Sequence, residues 1–268
     1  MLDKFLNYWF SLSGIKEIVS IFEKNNYDIR FVGGCVRDAF LGHKNPDIDF
    51  AVDCSPDIAV NILKENKVTF LEHGKKFGTL TIIEKNRKYE ITSLREDLNP
   101  KGRFTDVKFI KDWKKDALRR DFTFNAININ SNGNVEDYFN GQKDIELQQV
   151  KFIGDIENRI KEDYLRIVRF FRFLGLFQNP ILTEEDTRLL NSKLIFLRKN
   201  VSNNKIKTEL LKMFKNKFIL NSITDLDDQN RPNILIQTIK KWWIEDKFQI
   251  GIDECISKID TIIANQRK

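Results

Sequence analysis

Histidine and cysteine are scarce in this chain of 268 residues. It has two histidines, His43 and His73, and three cysteines, Cys35, Cys54 and Cys255. The cysteines are far apart, odd in number and form no CxxC pair. That pattern argues against a zinc cage or a disulfide framework and suits a reducing compartment. No apolar run approaches the ~20 residues of a membrane helix. The opening residues, Met1-Leu2-Asp3-Lys4-Phe5, carry an early acid and no small-residue cleavage site, which does not read as a signal peptide. These absences point to a cytoplasmic protein with no membrane partner. Fixed-period repeats and low-complexity linkers are also missing.

What is present is enough for a real core. Hydrophobic residues make up 41% of the chain, 22 of them phenylalanine, and 31% are charged, which excludes a disordered or fibrous class. Lys plus Arg outnumber Asp plus Glu, 45 to 39. A mild basic excess fits a polyanionic partner, although many proteins without one share it. The texture changes near residue 150. Residues 1–150 mix short β-type runs with helices, whereas 151–268 repeat Leu, Ile and Phe at helical spacing. In the first part the pattern predicts helices over 15–24, 36–41 and 58–65 and one ending near Leu118. It predicts strands over 27–32, 48–52 and 122–129, a hairpin of 79–84 with 88–92, and a long polar loop over 94–108. The expected class is α+β, a mixed sheet with helices followed by an all-helical region.

Two short segments carry candidate chemistry. Asp47-Ile48-Asp49 begins a predicted strand, so alternation puts Asp47, Asp49 and Ala51 on one face and Ile48, Phe50 and Val52 in the core. Paired carboxylates on one face favour a cation between them, and hard oxygen ligands suit Mg²⁺. Glu90, on a later strand, would add a third acid if that strand pairs nearby. A lone DxD is otherwise a solvated turn or a helix cap. Just upstream, Phe31-Val32-Gly33-Gly34-Cys35-Val36-Arg37-Asp38 reads as strand, glycine pair and helix start. Glycines let a backbone approach a phosphate, a helix start offers unpaired N–H groups, and Arg37 adds a forked donor. A Gly-Gly pair by itself is equally a tight turn. The short distance between the two segments would let a triphosphate held at Gly33 and Gly34 reach metals held at Asp47 and Asp49.

Taken together, Val32-Gly33-Gly34-Cys35-Val36-Arg37-Asp38, Leu41-Gly42 and Asp47-Ile48-Asp49-Phe50-Ala51 resemble the head-domain signature of the class II tRNA nucleotidyltransferases. These belong with the bacterial poly(A) polymerases in the polymerase-β-type superfamily. Further motifs follow in the family's order: Arg119-Arg120-Asp121-Phe122-Thr123-Phe124-Asn125-Ala126, then Asp137 to Asp144 as DxxxGxxD, Glu162-Asp163-Tyr164-Leu165-Arg166 as EDxxR, and a weaker match over Val201 to Leu211. The resemblance spans residues 28–211. It implies a nucleotidyltransferase head (1–150) and a helical neck with a truncated body (151–268). It also implies Mg²⁺ on Asp47 and Asp49 with Glu90 as a third acid, and CTP, ATP and the 3′ end of tRNA as partners. Arg119, Arg120 and Asp121 would then contact the incoming nucleotide, and the 94–108 loop would support the switch from C to A addition.

Asp163 and Arg166 are three apart, which predicts neighbours on one helix face. An aspartate accepting from an exocyclic amine and an arginine donating to a ring acceptor would accept C and A and reject G and U. From spacing alone the pair is a surface salt bridge; the resemblance assigns it to base reading. Arg169, grouped with the nucleotide-binding set, and Arg172 continue a basic side, facing RNA phosphates or solvent. The family's body and tail have no counterpart in 220–268, where Trp242-Trp243 read as core anchors. A homodimer or a separate tail subunit would then complete the tRNA grip. Poly(A) polymerase, A-only or CC-only addition, and a non-catalytic RNA-binding module remain the alternatives. Glu72-His73-Gly74-Lys75-Lys76-Phe77-Gly78-Thr79 looks closer to the CCA group.

Overall fold

The computed structural model describes residues 2–101 and 104–218. Two helices open the chain, α1 (Leu2–Ser11) and α2 (Ile15–Lys24). On α2 the residues Ile15, Ile18, Val19 and Phe22 are buried, three and four apart on one face. Then come β1 (Ile29–Val32), α3 (Gly34–Phe40), β2 (Asp49–Val52) and α4 (Pro56–Glu65). Ser55 caps α4 by accepting from the Ile58 N–H, and Pro56 occupies the first turn, where its missing donor costs nothing. Strands β3 (Phe70–Leu71), β4 (Thr79–Glu84), β5 (Arg87–Ser93), β6 (Arg95–Lys101) and β7 (Phe104–Phe109) precede α5 (Trp113–Leu118). After β8 (Asn128–Asn130) and β9 (Val135–Glu136) the chain is helical: α6 (Gly141–Glu146), α7 (Ile156–Glu162), α8 (Leu165–Leu174), α9 (Glu184–Asn200) and α10 (Asn203–Met213).

Seven strands form one mixed sheet in the order β3-β4-β5-β2-β1-β8-β9. β1 runs antiparallel to β2 and to β8, whereas β2 and β5 are parallel. A spine of aromatic rings crosses the sheet's buried face: Trp9 lies 4.7 Å from Phe31, Phe31 5.0 Å from Phe50, and Phe50 6.5 Å from Tyr89. All four are fully enclosed. Burying each such ring stabilises the fold by roughly 1.5–3 kcal/mol. The spine fixes the sheet's facing, because Asp49, next to Phe50, and Glu90, next to Tyr89, must then point to the opposite side.

Several expectations from the sequence need correction. Most of the expected 94–108 loop is strand: β6 and β7 form a separate two-stranded sheet, with Asp97 opposite Val107 and Leu98 opposite Asp106. Its polar residues hid the strands because a hairpin standing apart from the main core has little need of apolar alternation. The strand expected over 122–129 is a 3₁₀ turn at Thr123–Asn125 followed by the short β8, with the buried side chains of Thr123 and Asn125 held by the carboxylates of Asp144 and Asp121. β2 begins at Asp49, leaving Asp47 in the preceding coil, and Ala51 is buried with Val32 and Leu94 rather than lying on an open face.

The chain divides into two compact units, one running to Asp163 and the other beginning at Tyr164. The first continues past residue 150 because Phe152 packs on Phe122 at 4.7 Å and bridges to its backbone. In addition, Arg159 of α7 donates to the carbonyls of Arg119 and Arg120. Among its described residues the second unit is helical, with Ile167, Val168, Phe170, Phe171, Phe173 and Leu174 of α8 buried. There Arg172 meets the buried Glu209 at 2.7 Å and Arg169 meets it at 3.8 Å, so neither presents the solvated basic face that was one expectation. Trp242, Trp243 and Cys255 lie outside the described residues, as does the rest of 219–268.

Gly141 exposes a packing constraint in the first unit. A Cβ there would sit 2.5 Å from the Thr123 carbonyl oxygen and 2.8 Å from the Phe124 Cα, both backbone atoms that cannot yield cheaply. Gly141→Ala should therefore destabilise the head by about 1–3 kcal/mol, the usual range for overpacking, measured as a lower urea midpoint at unchanged slope.

Candidate active site

The site is assembled at the start of β2. Parallel pairing sets Asp49 directly opposite Glu90, so two carboxylates from strands distant in sequence share one face. Asp49 is half-buried, while Asp47 and Glu90 are exposed. Burial first, then Glu90 and Asp47, push the Asp49 carboxyl up from 3.8 to about 6, against the opposing pull of the Arg120 guanidinium. An acid held this far from its ordinary value lacks enough positive charge around it. Its donors are all oxygens, which fits a hard divalent cation. Among the described residues no three His, Cys, Asp or Glu side chains close a cage by themselves. Such a cage is dispensable for Mg²⁺, which commonly takes one or two carboxylates and fills its remaining positions with water and substrate phosphate.

Gly33 forms the opposite wall. Its φ of +73° and ψ of −130° are accessible to glycine alone at low cost. A Cβ there would lie 3.7 Å from Arg120 Nη1 and 3.8 Å from Asp49 Oδ2, so glycine, guanidinium and carboxylate converge on one point. Gly34 starts α3, next to the Arg37 and Asn45 side chains. Arg37 donates to Asp38 at 2.8 and 2.9 Å and to Asn125 Oδ1 at 3.0 Å. Asn125 is the junction of the site: its amide nitrogen donates to Asp121 at 2.9 Å and its carbonyl accepts from Arg120 at 3.0 Å. Asp121 is buried and also accepts from the Phe122 N–H, so its role is to brace the turn that carries Arg120.

The remaining motifs support that turn from behind. Asp137 accepts from the Gly141 and Gln142 N–H groups at 2.8 and 2.9 Å, anchoring the start of α6. Asp144 is buried and accepts from the Thr123 hydroxyl at 2.6 Å. Glu162 pairs with Arg159 at 2.5 Å, and Arg159 in turn holds the Arg119 and Arg120 carbonyls. Asp116 went unnoticed in the sequence. It is buried and lies 2.9 Å from Arg119 and 3.5 Å from Arg120. The available signal was an acid three and four residues before an Arg-Arg pair on a helix end. A cavity of about 190 Å³ opens beside it, lined by Asp97, Leu118, Arg119, Arg159 and Glu162 among others.

Residues 29–151 match the family described as the poly A polymerase head domain. Among similar proteins, human mitochondrial CCA tRNA nucleotidyltransferase 1 is 41% identical over 163 residues, covering 60% of this chain and 38% of its own length. The CCA-adding enzyme of Bacillus pumilus is 32% identical over 203 residues, covering 75% of this chain and 49% of its own. The crystal structure of the Bacillus stearothermophilus CCA-adding enzyme in complex with CTP superposes with a TM-score of 0.68 at 28% identity, over 77% of this chain and 49% of that one. A Thermotoga maritima CCA-adding enzyme complexed with tRNA gives 0.62 at 27%, over 77% and 48%. Residues 29–151 are thus similar to the poly A polymerase head domain, and the chain around them is similar to CCA-adding enzymes. The chain spans about half the length, or less, of these relatives.

In residues 29–151 the structure links Gly33, Asp49, Glu90 and Arg120 directly, and Arg37 and Asp121 through Asn125. Asp163 and Arg166 do not share one helix face. Asp163 ends α7 in extended conformation (φ −152°, ψ 105°), and Arg166 lies in the first turn of the next helix, α8. The helical pattern concealed this break because Tyr164 and Leu165 continue the apolar spacing across it.

The raised Asp49 carboxyl makes head stability depend on pH in a definite direction. The folded head holds that proton more tightly than the unfolded chain, so the favourable contribution is complete below 3.8 and is lost as pH rises to about 6. With chelator present, wild type should lose stability relative to Asp49→Asn between about pH 4 and pH 6, and the difference should level off above that; urea unfolding across this range measures it.

Proposed function

We propose that this protein is a template-independent RNA nucleotidyltransferase that adds C, C and A to the 3′ end of tRNA from CTP and ATP, releasing pyrophosphate. The observation that carries this reading is the convergence of Asp49, opposite Glu90, with Gly33 and Arg120. In this reading Asp47, Asp49 and Glu90 hold Mg²⁺, which when bound supplies the positive charge that phosphoryl transfer requires. Gly33 and Gly34 leave room for the triphosphate, and Arg37, Arg119 and Arg120 neutralise and orient it. The tRNA 3′ hydroxyl oxygen bonds to the α-phosphorus as the bond to the β-phosphate breaks, so pyrophosphate departs and no covalent enzyme intermediate forms. Asp121 acts through Asn125 to keep Arg120 in place. Asp163 and Arg166 read the base as acceptor and donor, and Arg169 supports that end of the nucleotide through its own helix.

A homodimer or a separate tail subunit extends the grip on tRNA in this reading; a strict monomer in light scattering, alone and with tRNA, would remove the dimer. Cytoplasmic residence rests on the free, buried thiols of Cys35 and Cys54. No described helix is long and apolar enough to cross a membrane.

Purified protein given Mg²⁺, one labelled nucleotide at a time and tRNAs ending before CCA, after C or after CC should incorporate two C and then one A. A long A tail would identify a poly(A) polymerase, A only after CC an A-adding enzyme, and C without A a CC-adding enzyme. Absence of incorporation alongside tight, salt-sensitive RNA binding would leave a binding module. Asp49→Ala should cut incorporation by more than about 100-fold, the upper loss seen when only an outer-shell partner of a metal ligand is removed, while RNA affinity in a filter-binding assay stays close to wild type. Arg166→Ala should narrow the preference for CTP and ATP over GTP and UTP in competition; unaltered selectivity would exclude base reading by that residue.

A further inference from the structure

We propose that Asp116 is a positioning residue for nucleotide binding: its buried carboxylate holds Arg119 and Arg120 together and ties both to the first residue of the β6–β7 hairpin. This inference rests on the nucleotidyltransferase reading above. Asp116 is 3% exposed. One carboxylate oxygen, Oδ1, accepts from Arg119 Nε at 2.9 Å and from the Arg95 backbone N–H at 3.1 Å. The other, Oδ2, faces Arg120 Nη2 at 3.5 Å. Arg120 Nη1, in turn, is the group beside Gly33 and bonds the Asn125 carbonyl.

Adjacent arginines repel, and each long side chain would otherwise sample many rotamers in solvent. A single anion placed between them offsets the repulsion and still leaves one net positive charge for a polyphosphate. Burial works to raise the Asp116 carboxyl, but Arg119 and Arg120, with the Arg95 N–H, bring it below the usual carboxylate range, so it is charged at neutral pH. Guanidinium groups held in advance bind an anion without the ordering cost of fixing them at the moment of binding. The bond to Arg95 extends this restraint to the hairpin, so β6 and the arginine pair share one support.

A merely structural role for a buried acid at the end of α5 predicts something different. Loss of packing lowers stability and the fraction of active molecules, which moves apparent kcat but leaves KM alone. Positioning of nucleotide-binding arginines predicts a change in KM. The test uses the whole chain, Mg²⁺, CTP and a tRNA lacking CCA, with thermal unfolding followed in parallel. Asp116→Asn should raise the KM for CTP by about tenfold or more while kcat falls less than about threefold. Asp116→Glu, which keeps the charge one methylene further out, should give an intermediate KM and also serves if the asparagine variant does not fold. A wild-type KM in either folded variant, whatever its melting temperature, would overturn the proposal. If the wild-type chain neither incorporates CMP nor binds CTP, the nucleotidyltransferase reading itself fails and this inference falls with it. A competent wild type with an indifferent Asp116 would remove the positioning role alone.

Discussion

The parallel pairing of β2 with β5 is the constraint on which the site depends. It sets Asp49 against Glu90 from segments about forty residues apart and keeps two like charges close where water is partly excluded. No arrangement of local sequence could hold them so, because acids on a flexible chain would separate. What keeps them together is the apolar face below, where Trp9, Phe31, Phe50 and Tyr89 pack in sequence across four elements. A shift of one residue in either strand would place an aromatic ring in solvent and an acid in the core, so the core enforces the register and the register enforces the charge pair. The fold thus stabilises a concentration of negative charge that would be unfavourable by itself.

Around that pair the positive groups are arranged with equal economy of movement. Arg120 reaches the acids from a turn held by its bond to the Asn125 carbonyl and its pairing with Asp116, with Asn125 held in turn by Asp121. Behind the turn, Asp144, Gly141 and Arg159 remove its remaining freedom. The DxxxGxxD and EDxxR motifs therefore contribute to the site partly as scaffolding: Asp137 fixes a helix start, Gly141 admits close backbone approach, and Glu162 holds the arginine that holds two carbonyls. A motif shared with nucleotide-handling relatives need not touch a nucleotide at every position.

Much of this was legible beforehand. α2 falls where its apolar spacing put it, and the glycine pair, the DxD and the Arg-Arg-Asp run include Gly33, Asp49 and Arg120, which converge in the fold. Glu90 was identified on the condition that its strand pair with β2, and it does. The misreadings have specific causes. Polar residues over 94–108 concealed a hairpin that stands apart from the main sheet. Over 122–129 the alternation of Phe122 and Phe124 with Thr123 and Asn125 looked extended, but the segment turns where those two polar side chains meet Asp144 and Asp121. The continuing apolar spacing through Tyr164 disguised the break between α7 and α8.

Residue type and order alone determined the chemical repertoire of this chain: oxygen donors rather than thiols or imidazoles, glycines where a phosphate could approach, arginines in place of lysines where forked donors matter. Only the folded chain decided which of these groups meet. Asp116 between two arginines, Asn125 joining Arg37 to Arg120, and Asp49 opposite Glu90 are contacts made across the fold or around a helix end, and burial and register set them. The physical reason is that a side chain's chemistry is local, whereas its charge state and orientation depend on neighbours that the core brings within a few ångströms.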